Sequence, residues 1–267
     1  MRTAVDETPG TSDIARMLRR ALPMAHGLDG KVAVVTGAAS GIGLRTSELF
    51  LEEEMTVVGI DLCAVPPGLA EHRGFIEITA DVSDAADVGA ATARIQASLG
   101  RCDVLVNCAG VLISGTATQT SEAEWDRTMA VNLRGAWLTS RALIPLMASS
   151  GGGSIVSVAA GAGLRPLPGL AAYAASKAGL VALARSIALD YAASGIRSNC
   201  VCPGPTDTPM FVNDEGNIRA REENGGDWAR PLSQPEEIAR AILLFISPEM
   251  RTLTGAALAI DSGRVLH

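Results

Sequence analysis

The run Val32-Ala-Val-Val-Thr36-Gly37-Ala-Ala-Ser40-Gly41-Ile42-Gly43 passes from five β-prone residues, through three glycines, into a helical pattern. Glycine tolerates the positive φ of a tight turn and lets another group approach the backbone closely. The helix that follows opens with unpaired N–H groups and the positive end of its dipole, a combination that suits a diphosphate. The spacing is Gly-x-x-x-Gly-x-Gly, not the strict Gly-x-Gly-x-x-Gly of many dinucleotide sites. Strand, glycine turn and helix in this order indicate a nucleotide-binding unit. A merely structural turn is the alternative, and the rest of the chain decides between them.

Six further apolar, β-rich runs follow, at residues 56–60, 75–79, 104–106, 154–158, 197–201 and 257–260. Helical patterns separate them near residues 42–54, 85–99, 122–147, 171–193 and 235–247. Strands that are apolar throughout, with helices between them, indicate a parallel sheet covered on both faces. Right-handed crossovers make that sheet doubly wound. The expected architecture is α/β, a single-domain Rossmann fold over residues 29–267. Residues 1–28 differ, with a short amphipathic piece at 14–22 stopped by Pro23. They read as a frayed leader or as an arm contacting another subunit.

In a doubly wound sheet, ligands sit outside the carboxyl ends of the strands. Asp61 ends the second strand, eighteen residues after Gly43. Its carboxylate can accept hydrogen bonds from the hydroxyls of an adenosine ribose, and it would repel a 2′-phosphate. No Arg or Lys stands in the glycine turn to offset that repulsion, so the cofactor reads as NAD and not NADP. Asp81 and Val82 are placed to meet the adenine, and Asn107 and Gly110 are expected along the floor of the site. Gly37, Ser40, Gly41, Ile42 and Gly43 complete this half of the expected cofactor contacts.

Tyr173-Ala-Ala-Ser-Lys177 lies within a long helical run. Residues i and i+4 share a helix face. A free phenol has a pKa of about 10. A neighbouring ammonium favours phenolate, so the pair is expected to exchange protons nearer neutral pH, with an alcohol or carbonyl oxygen as partner. By itself the spacing also occurs by chance on solvated helices.

The glycine turn, Asp81, Asn107-Cys-Ala-Gly110, Asn132, Tyr173-x-x-x-Lys177 and Pro203-Gly204 resemble, in type and order, the motifs of the short-chain dehydrogenase/reductase family. The resemblance extends from about residue 30 to residue 263. It implies hydride transfer between a nicotinamide and the carbonyl or alcohol carbon of a small-molecule substrate. Tyr173 would be the general acid/base, and Lys177 would bind the nicotinamide ribose and lower the Tyr pKa. Asn132 would hold a water that links the Lys to solvent. Pro203, Gly204, Thr206 and Thr208 would grip the nicotinamide carboxamide, and Asp261-Ser-Gly263 resembles a structural Asp-Gly-Gly. Members are usually dimers or tetramers, so a homo-oligomer is expected.

One position departs from the family. A serine that binds the reacting oxygen is placed thirteen residues before the tyrosine, and here that residue is Ala160. Losing one donor to a developing oxyanion costs a factor of about 10²–10³. Ser157 lies three residues earlier and should not reach the same point. Three readings follow. The chain is a serine-to-alanine variant, or an enzyme with another donor or a substrate that needs none, such as an imine or a self-polarised diol. Otherwise it is a dinucleotide-binding protein with impaired catalysis. Residues 209–227 correspond to a substrate-covering lid that includes Phe211. Ala160 and Leu164 are the other wall candidates.

The 267 residues carry a formal net charge of −7 with 48% hydrophobic residues. That balance argues against nucleic acid or an anionic membrane as partner. No apolar run reaches the roughly 20 residues a membrane span needs, and the N-terminus lacks the pattern of a secretory signal. Five cysteines, mostly in apolar segments, fit reduced thiols in a cytoplasmic protein. The three histidines, at positions 26, 72 and 267, are far apart. Neither a metal site nor a Ser-His-Asp or Cys-His centre is expected.

Overall fold

The computed structural model describes residues 27–214, 216–217 and 231–266. Seven strands form one sheet: β1 (Val32–Thr36), β2 (Thr56–Asp61), β3 (Phe75–Thr79), β4 (Val104–Asn107), β5 (Gly153–Val158), β6 (Ile196–Pro203) and β7 (Ala257–Ile260). Their order is β3-β2-β1-β4-β5-β6-β7, and every neighbouring pair is parallel. The chain leaves β1 toward β2 and β3 on one side and resumes with β4 on the other. That reversal opens a crevice at the carboxyl ends of β1 and β4.

The longer helices are α1 (Gly41–Glu52), α2 (Ala85–Leu99), α3 (Glu122–Met129), α4 (Ala136–Ser149), α5 (Ala171–Asp190) and α6 (Pro235–Ile246). Successive strand side chains point to opposite faces. Ala33 and Val35 therefore share a core with Phe50 of α1 and Ile242 of α6, while Val34 packs with Ile95 of α2 and Met147 of α4. Both faces being covered, all of β1 is buried, which is why it is apolar throughout. Local chemistry sets the ends of the helices. Asp84 accepts from the amides of Ala86 and Asp87 at the start of α2, and Gly100, at φ 65°, closes it in the left-handed region.

The expected strands and helices are present, with two differences that matter. β6 runs on to Pro203, carrying the strand directly into the site. The single helix expected over 122–147 is instead α3, a π-helical turn at Ala130–Gly135, and α4. A π-turn inserts one residue, which a hydropathy pattern absorbs without a visible break. Residues 1–26 of the expected leader, and residue 215 and residues 218–227 of the expected lid, lie outside the described residues. All five cysteines are free, and Cys200 and Cys202 share a core cluster with Leu180 and Ala184 of α5. No described helix is long and apolar enough to cross a membrane.

Candidate active site

A cavity of about 270 Å³ lies at the carboxyl ends of the strands, between the glycine turn and α5. Gly37 stands at φ +70°, and a Cβ there would come within 2.9 Å of the Ala109 backbone. A Cβ on Gly43 would lie 2.1 Å from the Gly37 carbonyl oxygen, so α1 starts directly against the turn only because residue 43 has no side chain. Gly43 therefore shapes the cradle without lining it. Ser40 is the exposed N-cap of α1, and its hydroxyl caps no backbone amide. Together with Gly41 and Ile42 it faces the cavity. A turn of small residues, an unengaged hydroxyl and an open helix start fit the diphosphate of a dinucleotide.

Asp61 lines the same cavity. Its Oδ2 accepts from the Ala39 amide at 2.9 Å and its Oδ1 from the Cys63 amide at 3.0 Å. Each oxygen keeps further acceptor capacity for a ribose hydroxyl. Arg45, the one cation on α1, is paired with Glu48, Glu52 and Glu236. Asp81 and Val82 line the wall beyond. The Ser83 hydroxyl and amide hold the Asp81 carboxyl below the usual carboxylate range. Arg127 of α3 faces Asp81 at 3.6 Å and also lines the cavity. No local sequence signal marks Arg127, because only the packing of α3 brings it across.

Two expected contacts are placed differently by the geometry. Asn107 does not line the floor. Its buried side chain accepts from Thr139 Oγ1 at 2.7 Å and donates to Ser140 Oγ at 3.1 Å, leaving Cys108, Ala109 and Gly110 at the surface. Among the described residues, Leu164 does not line this cavity. After Ala160 the chain enters a one-turn helix, Gly161–Leu164, that packs on α5 and leaves Leu164 exposed. Asn132 sits behind Gly110, with its Oδ1 3.2 Å from where a Cβ on that glycine would be. It is buried and ties the backbone of Val111 to Ser176, and so it acts behind the cavity wall and not on it.

Tyr173 and Lys177 both line the cavity, as the i, i+4 spacing on α5 requires. Lys177 Nζ lies 5.6 Å from the Tyr173 ring centroid and donates to the Val158 carbonyl at 2.9 Å. The expected lowering of the phenol pKa is absent. Burial disfavours the phenolate and pushes Tyr173 above its ordinary range, although part of its surface still opens on the cleft. Burial also lowers Lys177 to about 8. Desolvation acts against the charged form of both groups and is the largest influence on each.

Ala160 is buried at the cavity wall, clustered with Ala162, Ala174 and the Tyr173 ring. Ser157 points elsewhere, its Oγ 3.5 Å from Asn107 Nδ2. On the opposite side Pro203, Gly204, Thr206 and Thr208 line the cavity, joined by Met210 and Phe211. The Thr206 hydroxyl donates to the Gly204 carbonyl at 2.9 Å, which braces this loop from within.

A parallel doubly wound sheet, with a glycine cradle and a Tyr–Lys pair at its carboxyl edge, defines a dinucleotide-dependent oxidoreductase. The chain belongs to the short-chain dehydrogenase/reductase family, with residues 37–264 matching the family described as enoyl-(acyl carrier protein) reductase. It is 37% identical over 254 residues to 2-(S)-hydroxypropyl-CoM dehydrogenase 3 of Xanthobacter autotrophicus, covering 90% of this chain and 98% of the relative. It is 38% identical over 246 residues to 2,3-dihydro-2,3-dihydroxybenzoate dehydrogenase of Escherichia coli, covering 89% and 98%. Among solved structures, the 3-ketoacyl-(acyl-carrier-protein) reductase of Brucella melitensis complexed with NADH superposes with a TM-score of 0.80. That match has 31% identity and covers 90% of this chain and 100% of the other. The family and its relatives support oxidoreduction at CH–OH groups with a nicotinamide dinucleotide.

Proposed function

We propose that this chain is an NAD-dependent oxidoreductase that interconverts a secondary alcohol and a ketone, with Tyr173 as general acid/base. The observation that carries the reading is the convergence of Tyr173, Lys177, Asp61 and the glycine turn on one cavity. Gly37, Ser40 and Gly41 would hold the diphosphate, and Asp61 the adenosine ribose. Asp81 and Val82 would meet the adenine. Lys177 would bind the nicotinamide ribose, with Pro203, Gly204 and Thr208 beside the carboxamide. When bound, the dinucleotide supplies the donor or acceptor of hydride.

Tyr173 gives its proton to the carbonyl oxygen in reduction and takes it back in oxidation. A phenol held protonated by burial suits the acid role at neutral pH. Lys177, lowered to about 8, can hold or release a proton near neutrality. Asn132 keeps the loop after β4 and α5 in register around that pair.

Support for NAD over NADP comes from the Asp61 carboxylate and from the pairing of Arg45 with three glutamates. Two relatives are named as dehydrogenases of hydroxyl compounds and one as a ketoacyl reductase bound to NADH, which supports the same chemistry. Residues 29–267 act as one domain, with a lid beginning at Pro209, where Met210 and Phe211 reach the cavity. The exposed rings of Trp125 on α3 and Trp137 on α4 support assembly into a dimer or tetramer.

Tyr173→Phe is the decisive variant. Turnover of a ketone panel, followed by NADH absorbance, is expected to fall by a factor of about 10²–10⁴, with NADH binding by fluorescence essentially unchanged. Retained turnover would reject Tyr173 as the acid/base. NADH binding without turnover of any ketone or alcohol by the wild type would leave a dinucleotide-binding protein with impaired catalysis.

A further inference from the structure

Among the described residues, the hydroxyls of Ser176, Thr206 and Thr208 already have acceptors, and Ser157 is turned away from the cavity. Ser157 is turned to Asn107, and the Ser176 hydroxyl donates to the Tyr173 carbonyl at 2.7 Å. Thr206 donates to Gly204, and Thr208 Oγ1 is directed at the Thr206 carbonyl at 3.4 Å. Asn132 Nδ2 donates to the Val111 carbonyl and to Ser176 Oγ. The Ser114 hydroxyl donates to Asp214 at 2.9 Å. Lys177 keeps spare N–H bonds, which the proposed function assigns to the ribose. Among the described residues, Tyr173 is thus the one hydroxyl on this wall with its donor free for the reacting oxygen.

A developing alkoxide in a water-poor cavity needs more than one donor, and each is worth a factor of about 10²–10³. The small apolar side chain of Ala160 leaves room where a serine hydroxyl would stand. Val111, Leu112, Met210 and Phe211 make the adjoining walls apolar. We infer that the substrate supplies the second donor itself, being an α-hydroxyketone or the corresponding vicinal diol on a largely apolar skeleton. The inference rests on Tyr173 acting as acid/base in a nicotinamide-dependent oxidoreductase.

In reduction the carbonyl carbon accepts hydride from the reduced nicotinamide, and the C=O π pair moves onto oxygen. The Tyr173 proton transfers to that oxygen, giving an alcohol and the oxidised dinucleotide. The neighbouring hydroxyl donates a hydrogen bond across its five-membered ring throughout and is not consumed. Oxidation of the diol is the same path reversed.

The test compares 3-hydroxy-2-butanone with 3-methoxy-2-butanone, and 2-hydroxycyclohexanone with 2-methoxycyclohexanone, in the wild type and in Ala160→Ser. The methyl ethers keep the electron-withdrawing oxygen, lose the donor and add one methyl group, which the comparison with Ala160→Ser controls for. Wild-type kcat/KM is expected to favour the hydroxyketones by about 10², and Ala160→Ser to shrink that ratio below about tenfold by raising activity on the ethers. Calorimetry on Tyr173→Phe loaded with NADH is expected to give similar Kd values for each pair, because the bond strengthens only as charge develops. Equal wild-type rates on hydroxyketone and ether would overturn the substrate-supplied donor and leave the oxidoreductase reading standing. Activity that appears only in Ala160→Ser would overturn it also, marking a site damaged by the alanine. No turnover by either protein, despite NADH binding, would overturn both readings.

Discussion

Asn132 and Val111 are joined by two hydrogen bonds: the Asn132 Oδ1 accepts from the Val111 amide at 2.8 Å, and its Nδ2 donates to the Val111 carbonyl at 3.0 Å. The side chain thus pairs with the loop after β4 as a neighbouring strand would. A third bond, to Ser176 Oγ at 3.0 Å, reaches α5 one residue before Lys177. The π-turn puts Asn132 at this junction of three elements.

Asn132→Ala removes the partner of a mostly enclosed amide and carbonyl. The expected cost is about 1–3 kcal/mol of stability, read by urea unfolding, with a larger fall in turnover than in NADH affinity. A variant as stable and active as the wild type would show that the Val111 loop holds its position unaided.

Asp61→Ala removes the acceptor proposed for the adenosine ribose. Hydrogen bonds to a charged group contribute about 1.5–3 kcal/mol. NAD affinity is expected to fall about tenfold to a hundredfold, while NADP affinity holds or rises. The Ala39 and Cys63 amides also lose their acceptor, so the diagnostic quantity is the ratio of the two affinities. An unchanged ratio would remove Asp61 from cofactor choice.

Lys177 provides a test of protonation. Burial lowers it from 10.5 to about 8 in the folded protein. Between those values the unfolded chain binds more protons at this residue than the folded chain does, so its contribution to stability rises with pH there. Relative to Lys177→Met, the wild type should gain stability from about pH 8 to about pH 10 and change little below about pH 7. Parallel urea titrations check this, and a difference that stays flat with pH would mean the ammonium is well solvated.

How much was legible depended on the range of the interaction. The strands at 32–36, 75–79 and 257–260 fall where apolar, β-prone runs place them, because that preference is set within a few residues. Tyr173 and Lys177 share a cavity because helical spacing alone aligns them. Asn107 shows where such reasoning stops. Its position after β4 was readable, but Thr139 and Ser140, more than thirty residues away, turn its side chain into the core. Leu164 failed for a similar reason, since the one-turn helix that exposes it is held by packing on α5.

The amino-acid sequence by itself determined the α/β alternation, the glycine cradle, the carboxylate at the end of β2, the Tyr–Lys pair and the absence of a serine at position 160. These depend on local spacing and residue type. Only the tertiary structure decided the π-turn under Asn132, the arrival of Arg127 beside Asp81, the opposite pKa shifts of Tyr173 and Lys177, and the engagement of the hydroxyls near Ala160. Desolvation and hydrogen-bond partnership are properties of what surrounds a group, and those surroundings come from elements far apart in the chain.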